Sequence, residues 1–434
     1  MKKVLFVLLL VAVLIGSFVS CKEEPAPAHE HTWDEGSITT PATCGAAGVK
    51  TYKCECGETK TESVPATGAH TWGDWEETTP ATETTTGVKT ATCSVCGQKK
   101  TEDIPALSIF VSTFAEFEQA FTDIRAEGET RKVICLTADI DWDATKYDGT
   151  TAEKTFTQDM TGLTLNLNGH TISGVAKNAF NLTGDSFTLK NGTITANASN
   201  DRYCITINYN GSNASTSNGL KEAAIAATPA AYTEEDEVWA KRIKVENLTA
   251  TGMLCGYSTM EIKNCTFSAG KYRGLVMQGS SGIVENITVD APSASSAGFV
   301  AHSYGTVLVK GTNSFKGAFA VYSANCPVLI FDSSAVVTCT GASTYAFYLE
   351  NQGKIDIKAG AELTLIPAEG KKTIYIRTGS MIDIAAGAIL KDSTGTAIAK
   401  PIPTSLIDDN ASKGSKDKDW AGYNVVNTIT DNRE

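Results

Sequence analysis

The sequence predicts an all-β protein: a right-handed parallel β-helix, a single-stranded solenoid, preceded by a capping helix and two small Thr-rich β repeats. Three observations carry this. A short phrase returns from Leu163 to Leu390 as LTLNLNGHTISG, FTLKNGTITAN, MEIKNCTFSAG, GIVENITVDAP, KIDIKAGAELTL and further variants. Each copy is two alternating apolar stretches hinged on Asn168, Asn191, Asn247, Asn264, Asn286, Gly311, Asp332, Gly360 or Gly387, in steps of 23, 56, 17, 22, 25, 21, 28 and 27 residues. Apart from one long step, that is the size of a solenoid turn. Finally, a second family of short apolar strands recurs ahead of the hinges, from AFNLTG at 179–184 to TIYIRT at 373–378. Asn, Gly and Asp tolerate a left-handed backbone, so each hinge reads as two strands joined by a one-residue bend. A turn of this kind cannot bury its apolar face alone, and stacking makes the core continuous.

In chain order, Met1–Lys2–Lys3 is a positive segment, Val4–Val19 is apolar, and Ser20–Cys21 ends the run before the polar Lys22–Glu23–Glu24. Residues 1–20 resemble a bacterial lipoprotein signal peptide. That resemblance implies acylation of Cys21 and an exported chain anchored to a membrane by its lipid, at the outer membrane or cell surface. The Pro/Ala/Glu-rich segment 21–30 reads as a linker.

Residues 31–107 hold a tandem repeat: His31 to His70 and Cys54 to Cys93 are both separated by 39 residues. Each copy is too small for a useful apolar core and needs a staple. The candidates are Cys44, Cys54, Cys56, Cys93 and Cys96, with Glu83 standing where Cys44 has its counterpart. Closely spaced thiolates beside a histidine are the parts of a tetrahedral zinc site, and Cys44, Cys54 and Cys56 with His70 form the expected set. A disulfide in an exported protein and free thiols are the competing readings. The H-T-W and C-x-x-C-G phrases resemble Cys/His-containing tandem repeats of bacterial surface proteins. Copy one departs from that pattern at Cys54–Glu55–Cys56, and copy two lacks a ligand. The repeated Trp33 and Trp72, and Trp75, read as the core of small domains.

Residues 108–131 are read as the cap. Phe114, Phe117, Ala120, Phe121 and Ile124 share one helical face, with Ser112 or Thr113 as N-cap. The β-helix is expected over 132–400, interrupted by an insertion at 210–241, with 401–434 as a tail or cap. LNLNGHTISG and the repeated N-Φ-T-Φ phrases, where Φ is apolar, resemble the pectin-lyase-like β-helix superfamily over residues 108–400. The resemblance implies the fold and leaves the function open, because that scaffold carries lyases, hydrolases and adhesins. Cys204, Cys255 and Cys265 read as packing residues.

A formal net charge of −12 argues against nucleic acid as a partner. In the second strand family, alternation turns Phe180/Leu182, Leu275/Met277, Phe299/Ala301, Phe319/Val321 and Phe347/Leu349 inward. The outward wall then reads Gln278, His302, Tyr322, Glu350 and Arg377 along one ridge, with Tyr348 and Tyr375 beside it and Lys271 and Arg273 near. Stacked aromatics beside hydrogen-bonding groups suit a glycan or a surface protein of a host or neighbouring cell. Paired carboxylates for hydrolysis are absent from this wall. The expected function is adhesion or ligand binding rather than catalysis. The alternative is a polysaccharide lyase acting on uronate glycans, with Lys271, Arg273, His302, Tyr322 and Arg377 as its base and charge-neutralising groups.

Overall fold

The computed structural model describes residues 30–198, 202–209, 237–268, 272–291, 297–410 and 426–434. Cys21, Lys271 and most of the expected insertion lie outside these. The chain forms two compact units, one comprising residues up to Pro80 with Gly87–Ile104, the other Ala81–Thr86 with Pro105–Glu434. Among the described residues no helix is long and apolar enough to cross a membrane.

The larger unit is a parallel β-solenoid. One wall is a ten-stranded parallel sheet running from Phe156–Asp159 to Ile407–Asp409, one strand per turn; the other two faces merge into a twenty-stranded sheet. The faces merge because the Asn bends barely interrupt the ladder, and Thr188–Ala196 and Ile243–Thr251 run through the bend as single strands. Asn168, Asn191, Asn247, Asn264 and Asn286 all have φ between 51° and 61°, and Gly311, Gly360 and Gly387 continue the left-handed series. Their side chains form a ladder: Asn247 Nδ2 donates to Asn191 Oδ1 at 3.0 Å, Asn264 Nδ2 to Asn247 Oδ1 at 3.4 Å, and Asn286 Nδ2 to Asn264 Oδ1 at 3.1 Å. Asp332 departs from the expected bend. It is not among the left-handed residues; its carboxylate instead accepts from Ser334 N at 3.1 Å, closing a wider corner.

The inward columns make one apolar core in which Phe180, Phe267, Phe299, Phe315, Phe331 and Phe347 are fully buried. Cys204, Cys255, Cys265 and Cys339 lie in this core. Burial pushes the Cys204 and Cys265 thiols up to about 12, so they act as small apolar groups.

The first turn is covered by a helix, α1 (Phe114–Asp123), capped by Thr113 Oγ1, which accepts from Glu116 N at 3.2 Å; the Glu116 carboxylate reaches back to Ser112 N at 2.7 Å. This is a variant of the capping box, in which the carboxylate satisfies the N–H one residue ahead of the N-cap. Phe117, Ala120, Phe121 and Ile124 are buried, and Phe117 stacks on Phe156 of the first wall strand at 5.6 Å. The expected cap segment 108–131 begins as a strand, since Ser108–Val111 pairs in parallel with Val133–Leu136. The solenoid also extends past residue 400. Ile407–Asp409 and Thr428–Asp431 join the two sheets as a last turn.

In the smaller unit each repeat is a three-stranded antiparallel sheet, Ser37–Thr40, Gly48–Lys53 and Thr59–Val64 in the first, Glu76–Thr79, Gly87–Thr92 and Lys99–Ile104 in the second. The registers are equivalent: Gly48 faces Val64 and Gly87 faces Ile104. The tryptophans are not the core here. Trp33, Trp72 and Trp75 are only half-buried and sit under Lys60, Lys100 and Lys89 at 5.2, 5.0 and 4.9 Å. The apolar residues that are buried are Cys44, Cys54, Ala91 and Cys93.

Candidate functional site

Two groups of side chains stand out, one on the solenoid wall and one in the repeats. On the wall, the strand register defines a single outward column through ten turns: Thr157, Asn181, Thr206, Leu254, Val276, Val300, Tyr322, Tyr348, Tyr375 and Asp408. The column is polar at its start, aliphatic in the middle and aromatic near its end. The neighbouring column runs Gln278, His302, Ala324 and Glu350.

This corrects the expected ridge at one strand. Tyr322 faces Val300 and Tyr348, and Ala324 takes the place beside His302 and Glu350. Phe319, expected inside, packs outward with Tyr322 and Tyr348 at 5.5 and 4.8 Å, while Ala320 and Val321 both lie in the core. Two successive inward residues break the alternation there. A slip of two residues keeps the same face, so apolar alternation cannot detect it; only pairing with the next turn can.

The geometry of the aromatic end is tight. Tyr348 and Tyr375 stack with ring centres 4.4 Å apart and planes 14° from parallel, and Tyr345 lies 5.1 Å from Tyr375. Arg273 sits over the Tyr322 ring at 5.6 Å. Tyr322 donates its hydroxyl proton to Glu350, whose carboxylate also pairs with Arg377; Tyr345 donates to Asp408 Oδ2 at 2.7 Å. Burial and the adjacent Glu350 carboxylate raise Tyr322 and Tyr348, and burial with Asp408 pushes Tyr345 up to about 12, so all three stay protonated. Arg377 Nε is buried with no partner among the described residues.

His302 is tied into the corner that follows the wall strand. Asn325 Nδ2 donates to its Nε2 at 2.8 Å, so the ring proton is on Nδ1 and is donated to Ser303 Oγ. Burial, with help from the Arg273 charge, lowers His302 to about 4 and leaves the ring neutral. Neither nitrogen is a free base. Where the column starts, sequence reasoning missed a cleft of about 540 Å³ lined by Thr150, Thr151, Thr157, Asn178, Asn181 and Tyr209. Its outer lip is the loop 149–155, which carries no repeat signal.

In the repeats, the expected set of Cys44, Cys54, Cys56 and His70 divides in two. Cys44, His70, Cys93 and Cys96 converge with donor atoms within 4.8 Å of one another, and His31, Cys54 and Cys56 do the same. Either group could hold a metal ion. Cys44 thus leaves its own repeat and completes the set of the next. Tetrahedral zinc with arms of about 2.3 Å to sulfur has edges of roughly 3.5–3.8 Å. Cys44 Sγ lies 3.5 Å from Cys93 Sγ, and Cys96 Sγ lies 3.4 Å from His70 Nδ1. Burial and the two neighbouring thiols raise Cys44 to about 12. Burial opposes the Cys93 thiolate, but the Cys96 and Val95 backbone N–H groups, His70 and Cys44 outweigh it and bring Cys93 down to about 5. His31, which sequence reasoning left out, was marked by the same H-T-W phrase as His70. Glu83, in the slot of Cys44, serves the solenoid unit instead: its carboxylate accepts from Asn166 Nδ2 at 2.9 Å and pairs with Lys190 Nζ at 2.8 Å.

Comparison of the chain with protein-family models, with curated proteins and with solved structures gives no match in any of the three.

Proposed function

We propose that this is a lipid-anchored bacterial surface protein, held through Cys21 at the outer membrane or cell surface, whose β-helix head is related to the pectin-lyase-like superfamily and acts as an adhesin or glycan-binding protein. The observation that supports it most is the in-register run Tyr322, Tyr348 and Tyr375, flanked by Arg273, Glu350 and Arg377. Aromatic and arginine side chains clustered on a rigid wall are the composition of binding hot spots. Binding is favoured over lyase chemistry because both His302 nitrogens are engaged and the Glu350 carboxylate is already shared.

The test is a glycan array with the purified protein, run beside Tyr348→Ala and Arg377→Ala. Binding that drops at least tenfold in both variants supports the reading; binding indifferent to both overturns it. Incubation with uronate polymers and calcium, followed by ultraviolet absorbance of unsaturated product, tests the lyase alternative. Absorbance lost in Arg377→Ala would replace the binding reading.

Zinc is the metal we assign to Cys44, His70, Cys93 and Cys96. Three sulfurs and one imidazole match a structural zinc set, whereas a disulfide would use two sulfurs and leave a thiol and a ring behind. The zinc would staple one repeat to the next, making the pair a firm spacer between anchor and head.

A further inference from the structure

The first turns of the solenoid hold the cleft of about 540 Å³, inside the range of about 300–1,000 Å³ in which small-molecule sites fall. Its outer lip is a preformed loop. Gly149 has φ of 71°, and a β-carbon there would overlap Lys177 O, so the lip lies directly on the Lys177–Ala179 backbone. The Asp148 carboxylate accepts from Thr150 N at 2.9 Å and pairs with Lys154 Nζ at 2.8 Å, and Gly149 N–H donates to Lys154 O at 2.9 Å. These two charges are spent on one another. The inner wall is as firmly set. Asn181 is buried, with Nδ2 donating to Tyr209 O at 2.9 Å and Oδ1 accepting from Thr206 Oγ1 at 3.0 Å, which pins Tyr209 beside the cleft.

What the cleft offers a ligand is hydrogen bonding without charge. Five threonines, two asparagines and a tyrosine line it together with Gly149 and Ala152, and no charged side chain does so among the described residues. Asn178 is the side chain left over. Its bend is left-handed, with φ of 52°, and its backbone N–H donates to Tyr203 O at 3.0 Å, but its Oδ1 is buried and accepts no hydrogen bond. Glycine would make the same bend without stranding an oxygen, so the carboxamide is explained by a donor that a bound molecule brings. Thr157 is the other available group: it is exposed, and its hydroxyl has only a 3.5 Å contact from Asn181 Nδ2. An anionic sugar would enter with no counter-charge to meet it. A neutral sugar brings hydroxyl donors and acceptors for the threonines and asparagine, and a C–H face for the one aromatic residue of the lining.

We propose that this cleft is a binding site for an uncharged mono- or disaccharide unit, with Asn178 and Thr157 as its hydrogen-bonding residues. It is distinct from the aromatic end of the wall. Asn181 and Tyr322 share one outward column but lie five strands apart, through Thr206, Leu254, Val276 and Val300, which is roughly 24 Å at about 4.8 Å per strand. The cleft therefore does not rest on the reading of the tyrosines.

The experiment titrates the purified full chain by calorimetry with lactose, maltose and chitobiose, and with digalacturonate as the charged counterpart, and locates the bound sugar by hydrogen exchange. At least one neutral disaccharide should bind, about tenfold or more tighter than digalacturonate, and should slow exchange in residues 149–157 rather than 345–377. Asn178→Gly, which keeps the left-handed bend, should weaken that binding about tenfold with the thermal midpoint of the solenoid unchanged. Thr157→Val, a change of equal shape at an exposed residue, should weaken it as well and keeps the test sharp if Asn178→Gly disturbs the loop. Binding indifferent to both variants, a preference for digalacturonate, or slowed exchange confined to 345–377 overturns the site, as does the failure of all three neutral sugars to bind. A lowered midpoint with binding intact makes Asn178 a structural residue and overturns its role. The glycan array with Tyr348→Ala and Arg377→Ala reports the other end of the wall, so either reading can fail without the other.

Discussion

At Asn264 the backbone is left-handed, with φ of 53°, and the side chain is a rung between Asn247 and Asn286. Two effects are superposed, a conformation that costs an L-residue with a β-carbon about 1–2 kcal/mol and two amide hydrogen bonds of roughly 0.5–1.5 kcal/mol each. Asn264→Gly removes both, whereas Asn264→Ala loses the hydrogen bonds and keeps the conformational cost. The alanine variant should be less stable than the glycine variant by about 1 kcal/mol in denaturant titrations; equal stabilities would show that the bend is not what selects asparagine. His302 gives a pH signature at the same scale. Its folded value of about 4 lies below the ordinary 6.5, so its contribution is complete above pH 6.5. Between 6.5 and 4 the unfolded chain takes up a proton that the folded ring refuses, and stability falls by up to about 3 kcal/mol. His302→Gln should flatten that part of the pH–stability curve.

The elements of a solenoid depend on their neighbours more than on themselves, and the cap shows this most directly. Phe117 of α1 meets Phe121, Phe156 and Phe180 within ring distances of 5.2–6.0 Å. Phe117→Ala should cost about 3–5 kcal/mol. Because contacts in a stacked array are made between adjacent turns, the loss should be read first at that end. Hydrogen exchange is expected to accelerate in Val133–Leu136 and Phe156–Asp159 well before Ile374–Ile376, and a uniform acceleration would contradict a turn-by-turn architecture. Thr113→Ala, which removes only the N-cap bond, should cost about 1 kcal/mol in the same assay.

For the molecule as a whole, the two compact units bury different things. The solenoid buries a continuous apolar core, whereas the repeats bury cysteines. With zinc held as proposed, chelation should unfold the repeats and spare the solenoid. Calorimetry with and without a strong chelator should show one transition lost and one unmoved; a solenoid transition that shifts would mean the metal sites stabilise more than their own unit.

The sequence alone determined the solenoid, because a turn-length repeat with alternating apolar residues and left-handed-tolerant hinges leaves few other ways to bury its apolar positions. It also determined the helix that caps it, through the spacing of Phe114, Phe117 and Phe121 and the Ser112–Thr113 start. Which outward side chains become neighbours was decided by pairing between turns. Alternation places Phe319 inside, yet Ala320 and Val321 are both inward there, and only the pairing between turns shows that Tyr322 joins Tyr348 and Tyr375 rather than His302. The partition of the cysteines likewise needed the tertiary structure. Equivalent positions in a repeat carry no mark of which neighbour they serve, and only folding shows that Cys44 joins His70, Cys93 and Cys96 of the repeat that follows it.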